Sequence, residues 1–148
     1  MKRKPLLWTI SIFISIIALA FYLTHLPGND KIHEKRELIS LKLKTKGFNG
    51  GFVIISEKRH RWYNKILPNS IDKSSHLKGM AMDFWIMDLN DDGKWNRKDI
   101  DLMVITINEV ENEHPELAGW TKTYFDKGTL TSRMVHTDVS GIKNKLKK

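Results

Sequence analysis

The stretch from Ser74 to Ile86 constrains the fold of this chain more than any other. His76 and Asp83 lie seven residues apart, with Gly79 between them. From position 81 to 86 apolar side chains occupy every second position, which is the period of a strand with one buried face. Asp83 then projects from the opposite face, and the turn at Gly79 allows His76 to fold back onto it. The pattern predicts a strand that brings an imidazole and a carboxylate together.

A second imidazole is predicted on a strand late in the chain. In residues 134–139 a period of two places His136 and Asp138 on a common face. A single histidine is usually a hydrogen-bonded structural residue, so the prediction depends on the set of His76, Asp83 and His136. Two imidazoles and one carboxylate, with water as the fourth ligand, are the composition of a catalytic zinc site rather than of a closed structural one.

Three motifs occur in order between residues 56 and 139. They are S-x-x-R-x-x-x-x-N from Ser56 to Asn64, S-x-H-x-x-G-x-A-x-D-F from Ser74 to Phe84, and V-H-x-D-V at 135–139. The set resembles the motifs of the zinc D-Ala-D-Ala peptidases and murein endopeptidases, a family whose fold is similar to the signalling domain of hedgehog proteins. The chain departs from that family at Glu57 and Lys58, where the family usually has Gly-Tyr.

The resemblance implies a fold, an activity and residue roles. We expect an α+β domain in which a small antiparallel sheet with flanking helices carries zinc on His76, Asp83 and His136. The implied reaction is hydrolysis of a peptide bond in peptidoglycan stem peptides, of the D-Ala-D-Ala carboxypeptidase or the murein endopeptidase type. Arg59 stands where the family clamps a substrate carboxylate, a role that suits a bidentate, permanently charged guanidinium. The alternative for Arg59 is a surface arginine in a basic cluster.

The general base of this reaction is not where the resemblance places it. Related enzymes have an acid or a second histidine just before the late ligand, but this chain has Arg133 and Met134. Asp138 is the remaining candidate for the base, and the alternative is that Asp138 orients an imidazole. The altered positions favour a second hypothesis, a non-catalytic, membrane-anchored metal-binding module that binds cell wall or protein.

A calcium site is predicted between residues 88 and 99. Oxygen donors fall at positions 1, 3, 5, 9 and 12 of this loop and glycine at position 6, the spacing of an EF-hand loop and similar to dockerin-type loops. The predicted ligands are Asp88, Asn90, Asp92, Lys94 through its carbonyl, Asn96 directly or through water, and Asp99. The alternative is an Asx-rich turn that caps the next helix without binding an ion. A third hypothesis is that the chain binds calcium and not zinc, and acts as a calcium-dependent interaction protein.

The N-terminal segment is predicted to be a membrane anchor. Leu6 to Leu26 is 21 residues without Asp, Glu, Lys or Arg, and a helix of that length spans about 31 Å. The cations of residues 1–4 favour a cytoplasmic N-terminus. We therefore expect a single-pass protein of the inner (cytoplasmic) membrane with a periplasmic or extracellular domain. A signal peptide cleaved near Ala18-Leu19-Ala20 is the competing interpretation.

The predicted organisation of the chain has four parts, and the protein is expected to be a monomer. They are a cytoplasmic basic tip with the signal-anchor helix (1–28), a juxtamembrane linker (29–40), the zinc peptidase-like domain (41–142) and a basic tail (143–148). Leu41 and Leu43 predict an edge strand at the start of the domain. An apolar stripe from Ile100 to Val110 predicts a helix after the calcium loop. Trp120 and Tyr124 are expected to pack in the core or to line a groove.

The net charge of +8 does not indicate a nucleic-acid partner. Removing the seven cations of the two termini leaves 18 basic against 17 acidic residues. A nucleic-acid surface needs a basic surplus on the folded domain, so this class of partner is excluded. The chain has no cysteine, so disulfides contribute nothing to its stability.

Overall fold

The computed structural model describes residues 11–16, 18–19, 22, 26–67, 70–125 and 130–141. From residue 30 onwards they form helices α1 (Asp30–Thr45), α2 (Arg61–Ile66) and α3 (Arg97–Glu113), and strands β1 (Phe52–Ser56), β2 (Ala81–Ile86), β3 (Thr121–Thr123) and β4 (Met134–Asp138). Short 3-10 turns cover Ser75–Lys78, Pro115–Leu117 and Leu130–Arg133. The described part of the chain is therefore α+β.

The four strands form one antiparallel sheet in the order β1-β2-β4-β3. The central strand β2 pairs with β1 on one side and with β4 on the other, and β3 lies at the edge. The small antiparallel sheet matches the expectation from the period-two patterns of β2 and β4. The three-residue strand β3 was not predicted, because Thr-Lys-Thr shows no apolar alternation.

The core lies between one face of the sheet and helices α1 and α3. On β2, Met82, Phe84 and Ile86 are fully buried on this face, while Asp83 points to the other face. The other buried apolar residues of this cluster include Ile32, Ile39 and Leu43 of α1, Ile100, Met103, Ile107 and Val110 of α3, and Val135 of β4. The apolar stripe predicted for α3 is confirmed, and the opposite face of the sheet is left free for polar chemistry.

Helix α1 replaces two predicted elements. Residues predicted as the linker (29–40) form most of α1, and the edge strand predicted at Leu41 and Leu43 is wrong because the same helix runs through it. The Asn29 side chain caps α1 by accepting a hydrogen bond from the Ile32 N–H (3.0 Å). The physical reason is helical spacing: Ile32, Ile39 and Leu43 share one buried face. The Leu41 and Leu43 alternation was too short to outweigh it, and Leu41 is exposed.

The membrane anchor predicted over residues 6–26 is corrected. Among the described residues, no helix is long and apolar enough to cross a bilayer. The predicted single-pass inner-membrane localisation is corrected by the same finding. Residues 1–10, 17, 20–21, 23–25 and the basic tail (143–148) lie outside the described residues.

A buried ion pair fastens α1 and α3 to strand β4. Lys35 of α1 is 0% exposed, and its Nζ donates to Glu111 Oε1 (2.6 Å), Thr137 Oγ1 (2.9 Å) and the Asp138 carbonyl (2.7 Å). Burial lowers the pKa of Lys35, and its hydrogen bond and charge pairing with Glu111 oppose that shift. The three acceptors match the three N–H donors of the ammonium.

We predict that Lys35→Ala lowers the free energy of unfolding by about 3–5 kcal/mol, because it leaves the Glu111 carboxylate buried without its cation. Urea denaturation followed by circular dichroism measures the change. Lys44→Ala removes an exposed lysine of the same helix and should change stability by less than about 0.5 kcal/mol. Equal effects of the two variants would contradict the prediction.

Candidate metal centre

Two of the predicted ligands are brought together by strand register. Asp83 of β2 is paired with His136 of β4, so both side chains project from the same face of the sheet. The row continues on both sides, to Ser56 of β1 and to Lys122 of β3. The sequence predicted the strand faces correctly, and the antiparallel pairing of β2 with β4 makes the two ligands neighbours.

His76 reaches the same face from the turn before β2. Residues 75–78 form a 3-10 turn that ends at Gly79, whose φ is 67°. Glycine adopts this left-handed conformation without the strain that a side chain would add. The Gly79 carbonyl accepts a hydrogen bond from the Asn29 N–H (2.8 Å), which holds the turn against the chain before α1. The predicted fold-back of His76 is therefore observed.

The three side chains form a compact, buried group that could hold a metal ion. Their candidate ligand atoms lie within 4.8 Å of one another. His136 Nδ1 is 2.8 Å from Asp83 Oδ1 and 3.2 Å from His76 Nε2, and His76 Nε2 is 3.3 Å from Asp83 Oδ2. Each of the three residues is at most 7% exposed. We call this group the triad.

The hydrogen bonds of His76 fit a metal ligand. Its Nδ1 contacts the backbone carbonyl of Glu57, so Nδ1 carries the hydrogen and donates it. In a neutral ring that ligates a metal, the lone pair would then be on Nε2, which faces the other two triad residues. A ligating histidine usually donates its second ring N–H to such an acceptor, which fixes the ring and the tautomer.

The carboxylate of Asp83 is kept ionised. Burial by itself raises the pKa of Asp83, but hydrogen bonds and charge interactions with His136 and His76 outweigh it and hold the pKa well below its usual range. The Arg59 guanidinium also pairs with Asp83 Oδ2. The triad therefore presents a negative oxygen beside two imidazole nitrogens, a donor set that divalent transition metals accept.

Arg59 lies beside the triad and positions the Asp83 carboxylate through an ion pair. Besides that ion pair, its Nε donates to Ser56 Oγ (2.9 Å) and its backbone N–H to the His76 carbonyl (3.0 Å). Ser56 and Arg59 of the first motif thus act together at the site. Asn64 does not join them: it is buried and donates to the Ile71 carbonyl (3.0 Å) in the following loop.

The Asp138 carboxylate is hydrogen-bonded to residues outside the triad. Its Oδ2 accepts from Ser75 Oγ (2.9 Å), and its Oδ1 accepts from the Trp120 N–H (2.8 Å) and from Ser140 N (3.1 Å) and Oγ (2.7 Å). Burial raises the pKa of Asp138, while these hydrogen bonds lower it, with a net decrease. Asp138 therefore ties the residue before His76 to the start of β3, and its role as general base stays a prediction.

The oxygens of the predicted calcium loop bond to the loop's own backbone. Both carboxylate oxygens of the buried Asp99 accept N–H groups, from Leu89 (2.8 Å) and Asn90 (3.3 Å) on one side and from Asn96 (2.7 Å) on the other. Asn96 and Asp99 together form the capping box of α3.

The side-chain oxygens in the first half of the loop also accept hydrogen bonds from the loop's own backbone. Asp88 accepts from the N–H groups of Asp92 (3.1 Å) and Gly93 (2.7 Å). Asn90 Oδ1 accepts from the Asp92 N–H (3.2 Å) and Asp92 Oδ1 from the Lys94 N–H (3.0 Å), which is the hydrogen-bonding pattern of Asx turns. Among the described residues, the group of histidine and carboxylate side chains that could hold a metal is the triad, and the loop is not in it. Calcium binding by residues 88–99 stays a prediction.

Sequence reasoning missed the contribution of the edge strand β3. Lys122 stands opposite His136 in the register, and the Trp120 ring meets the His136 ring edge-on at 5.4 Å between centroids. Burial raises the pKa of Tyr124, and the negative charge of Asp83 raises it further. The Tyr124 hydroxyl is therefore close enough to the triad to interact electrostatically with Asp83. No signal in Thr-Lys-Thr could have assigned this strand to the site, since its position depends on pairing with β4.

No protein-family model, curated protein or solved structure matches this chain. The family resemblance therefore rests on the three sequence motifs alone.

We predict that the full chain binds one divalent metal ion and that His76→Ala abolishes binding, because the triad loses one of its two nitrogen donors. Metal content by mass spectrometry after gel filtration measures the stoichiometry. His114→Ala is the matched control, since His114 is partly exposed and pairs with Glu116 (3.4 Å). Wild-type protein that retains no metal after loading would contradict the prediction.

We predict that Asp138→Asn weakens metal affinity by about 10- to 100-fold, the usual effect of losing a partner that orients ligands. The amide retains one acceptor oxygen where the carboxylate has two, so the links to Ser75 and Trp120 cannot both be kept. Competition with a chromophoric chelator measures the affinity. Ser140→Ala removes only the Oγ hydrogen bond to the same carboxylate and leaves the links to Ser75 and Trp120 in place, so we expect a smaller effect. Unchanged affinity in Asp138→Asn would show that this tie does not position the ligands.

Proposed function

We propose that the chain is a zinc-dependent peptidase that hydrolyses peptide bonds in peptidoglycan stem peptides. The observation that carries the proposal is the buried triad of His76, Asp83 and His136, whose ligand atoms lie within 4.8 Å of one another. The motif order supplies the substrate class, since it resembles the zinc D-Ala-D-Ala peptidases and murein endopeptidases.

The donor set and its dimensions support zinc as the metal. Ligands bound to tetrahedral zinc at about 2.0–2.1 Å lie roughly 3.3 Å from one another. The distances between the triad atoms are 2.8, 3.2 and 3.3 Å. Two nitrogens and one carboxylate oxygen also leave a fourth position for water, which is the arrangement of catalytic rather than structural zinc.

Each neighbouring residue has a defined task in this proposal. Zinc, when bound, lowers the pKa of its water and polarises the scissile carbonyl. The Glu57 carbonyl fixes the tautomer of His76, and Arg59 orients the Asp83 carboxylate. Trp120 packs against the His136 ring and restricts its rotation. These contacts hold the three ligands in place before substrate arrives, which reduces the reorganisation needed during the reaction.

The proton acceptor for the attacking water is the open part of the mechanism. Asp138 accepts hydrogen bonds from Ser75, Trp120 and Ser140, and Arg133 lies over the Trp95 ring, with Cζ 4.3 Å from its centroid. This arrangement favours a second candidate function, a zinc-containing module that binds stem peptides without cleaving them. The two functions share the metal site and differ in turnover.

The test is incubation of the zinc-loaded full chain with two substrates, a muramyl pentapeptide ending in D-Ala-D-Ala and a cross-linked muropeptide. We expect hydrolysis of one of them, with release of D-alanine marking the carboxypeptidase type and a split cross-link the endopeptidase type. Liquid chromatography with mass spectrometry identifies the product. His136→Ala should reduce turnover to the background rate, because it removes a zinc ligand.

The control variant is His114→Ala, which should keep the wild-type rate. Removal of zinc by a chelator should abolish hydrolysis, and added zinc should restore it. If the zinc-loaded protein binds the pentapeptide with no turnover, the peptidase proposal is wrong and the binding module is supported. If it neither binds nor cleaves either substrate, both functions are wrong.

A further inference from the structure

A free cation stands beside the triad on the edge strand. Lys122 is paired in register with His136, so its side chain leaves the sheet on the face that carries the triad. Neighbouring strands are about 4.8 Å apart, which places Lys122 roughly 10 Å from Asp83 across β4. The lysine is therefore one strand further out than the metal ligands.

Two aromatic rings hold the Lys122 ammonium in place. Its Nζ lies 5.4 Å from the centroid of the Trp120 ring and 4.9 Å from that of the Tyr124 ring. Both distances are in the range of cation–π contacts. The same Trp120 ring contacts His136 edge-on. The ammonium, the two rings and the triad therefore form one continuous surface.

No carboxylate of the described residues forms an ion pair with Lys122. Arg59, at the other end of the same row, differs in this respect: its guanidinium pairs with Asp83 and donates to Ser56 Oγ. The group that the motifs assign to substrate recognition is thus occupied with a metal ligand. Lys122 is therefore a cation on this face, among the described residues, whose charge is still available to an anionic partner.

We propose that Lys122 is a specificity-determining residue that binds a carboxylate of the substrate beside the metal centre. The inference rests on the proposed peptidase or stem-peptide-binding function and narrows its substrate. One residue of extended peptide spans about 3.3–3.6 Å, so the roughly 10 Å from Asp83 to Lys122 corresponds to at most about three residues. The preferred ligand therefore carries a free carboxylate within that distance of the scissile bond.

The test compares a stem pentapeptide ending in D-Ala-D-Ala with its C-terminal amide, using zinc-loaded full chain. We expect wild type to bind the acid about tenfold more tightly than the amide, the effect of one charge-assisted hydrogen bond. Isothermal titration calorimetry measures both affinities. Lys122→Gln should bind the two peptides equally, and Lys122→Arg should keep part of the preference. Lys44→Gln, at an exposed position of α1, should behave as wild type.

The kinetic readout separates this inference from the proposed activity. If the acid is cleaved, Lys122→Gln should raise KM with little change in kcat, because the contact is made before the reaction as well as during it. If wild type binds the acid preferentially through Lys122 but does not cleave it, the inference holds and the peptidase proposal fails. Equal binding of acid and amide by wild type, or a preference that survives in Lys122→Gln, would overturn the inference even if hydrolysis occurs.

Discussion

The carboxylate of Asp83 is the point on which the rest of the site depends. It contacts both histidines of the triad and the Arg59 guanidinium, and it sits on the central strand of the sheet. Each contact comes from a different segment: the turn before β2, the region after β1, and β4. A buried carboxylate is stable only when it is paired and hydrogen-bonded, so the folded sheet must deliver all three partners together.

Periodicity predicted the elements whose side chains alternate or repeat clearly. Strands β2 and β4 and helix α3 follow from their apolar positions, and the His76 turn follows from Gly79. Helix α1 was missed because its buried positions include Lys35, which a hydrophobic pattern cannot place inside. The contacts of Arg59 with Asp83 and of Asp138 with Ser75 were missed for another reason: they join residues 24 and 63 positions apart, a relation that spacing does not encode.

Strand β4 has a different environment on each face. His136 faces the triad, whereas the neighbouring Thr137 accepts the buried Lys35 ammonium on the helix side. The strand is thereby fixed on its helix side by α1 and α3, through Lys35 and Glu111, while its other face carries a candidate metal ligand. Rigid support of this kind is what a metal site requires if its ligands are to stay within a few tenths of an ångström of their positions.

The segment leading into α1 is joined to both loops that build the site. The Leu26 carbonyl accepts the Lys58 N–H (3.1 Å), the Gly28 N–H donates to Glu57 (2.9 Å), and the Asn29 N–H donates to Gly79 (2.8 Å). A pulling force on the chain before residue 26 would therefore load the hydrogen bonds around the His76 turn before it reached the core. In mechanical terms, the candidate metal centre lies where the segment 26–29 joins the domain, so tension there would reach the candidate ligands first.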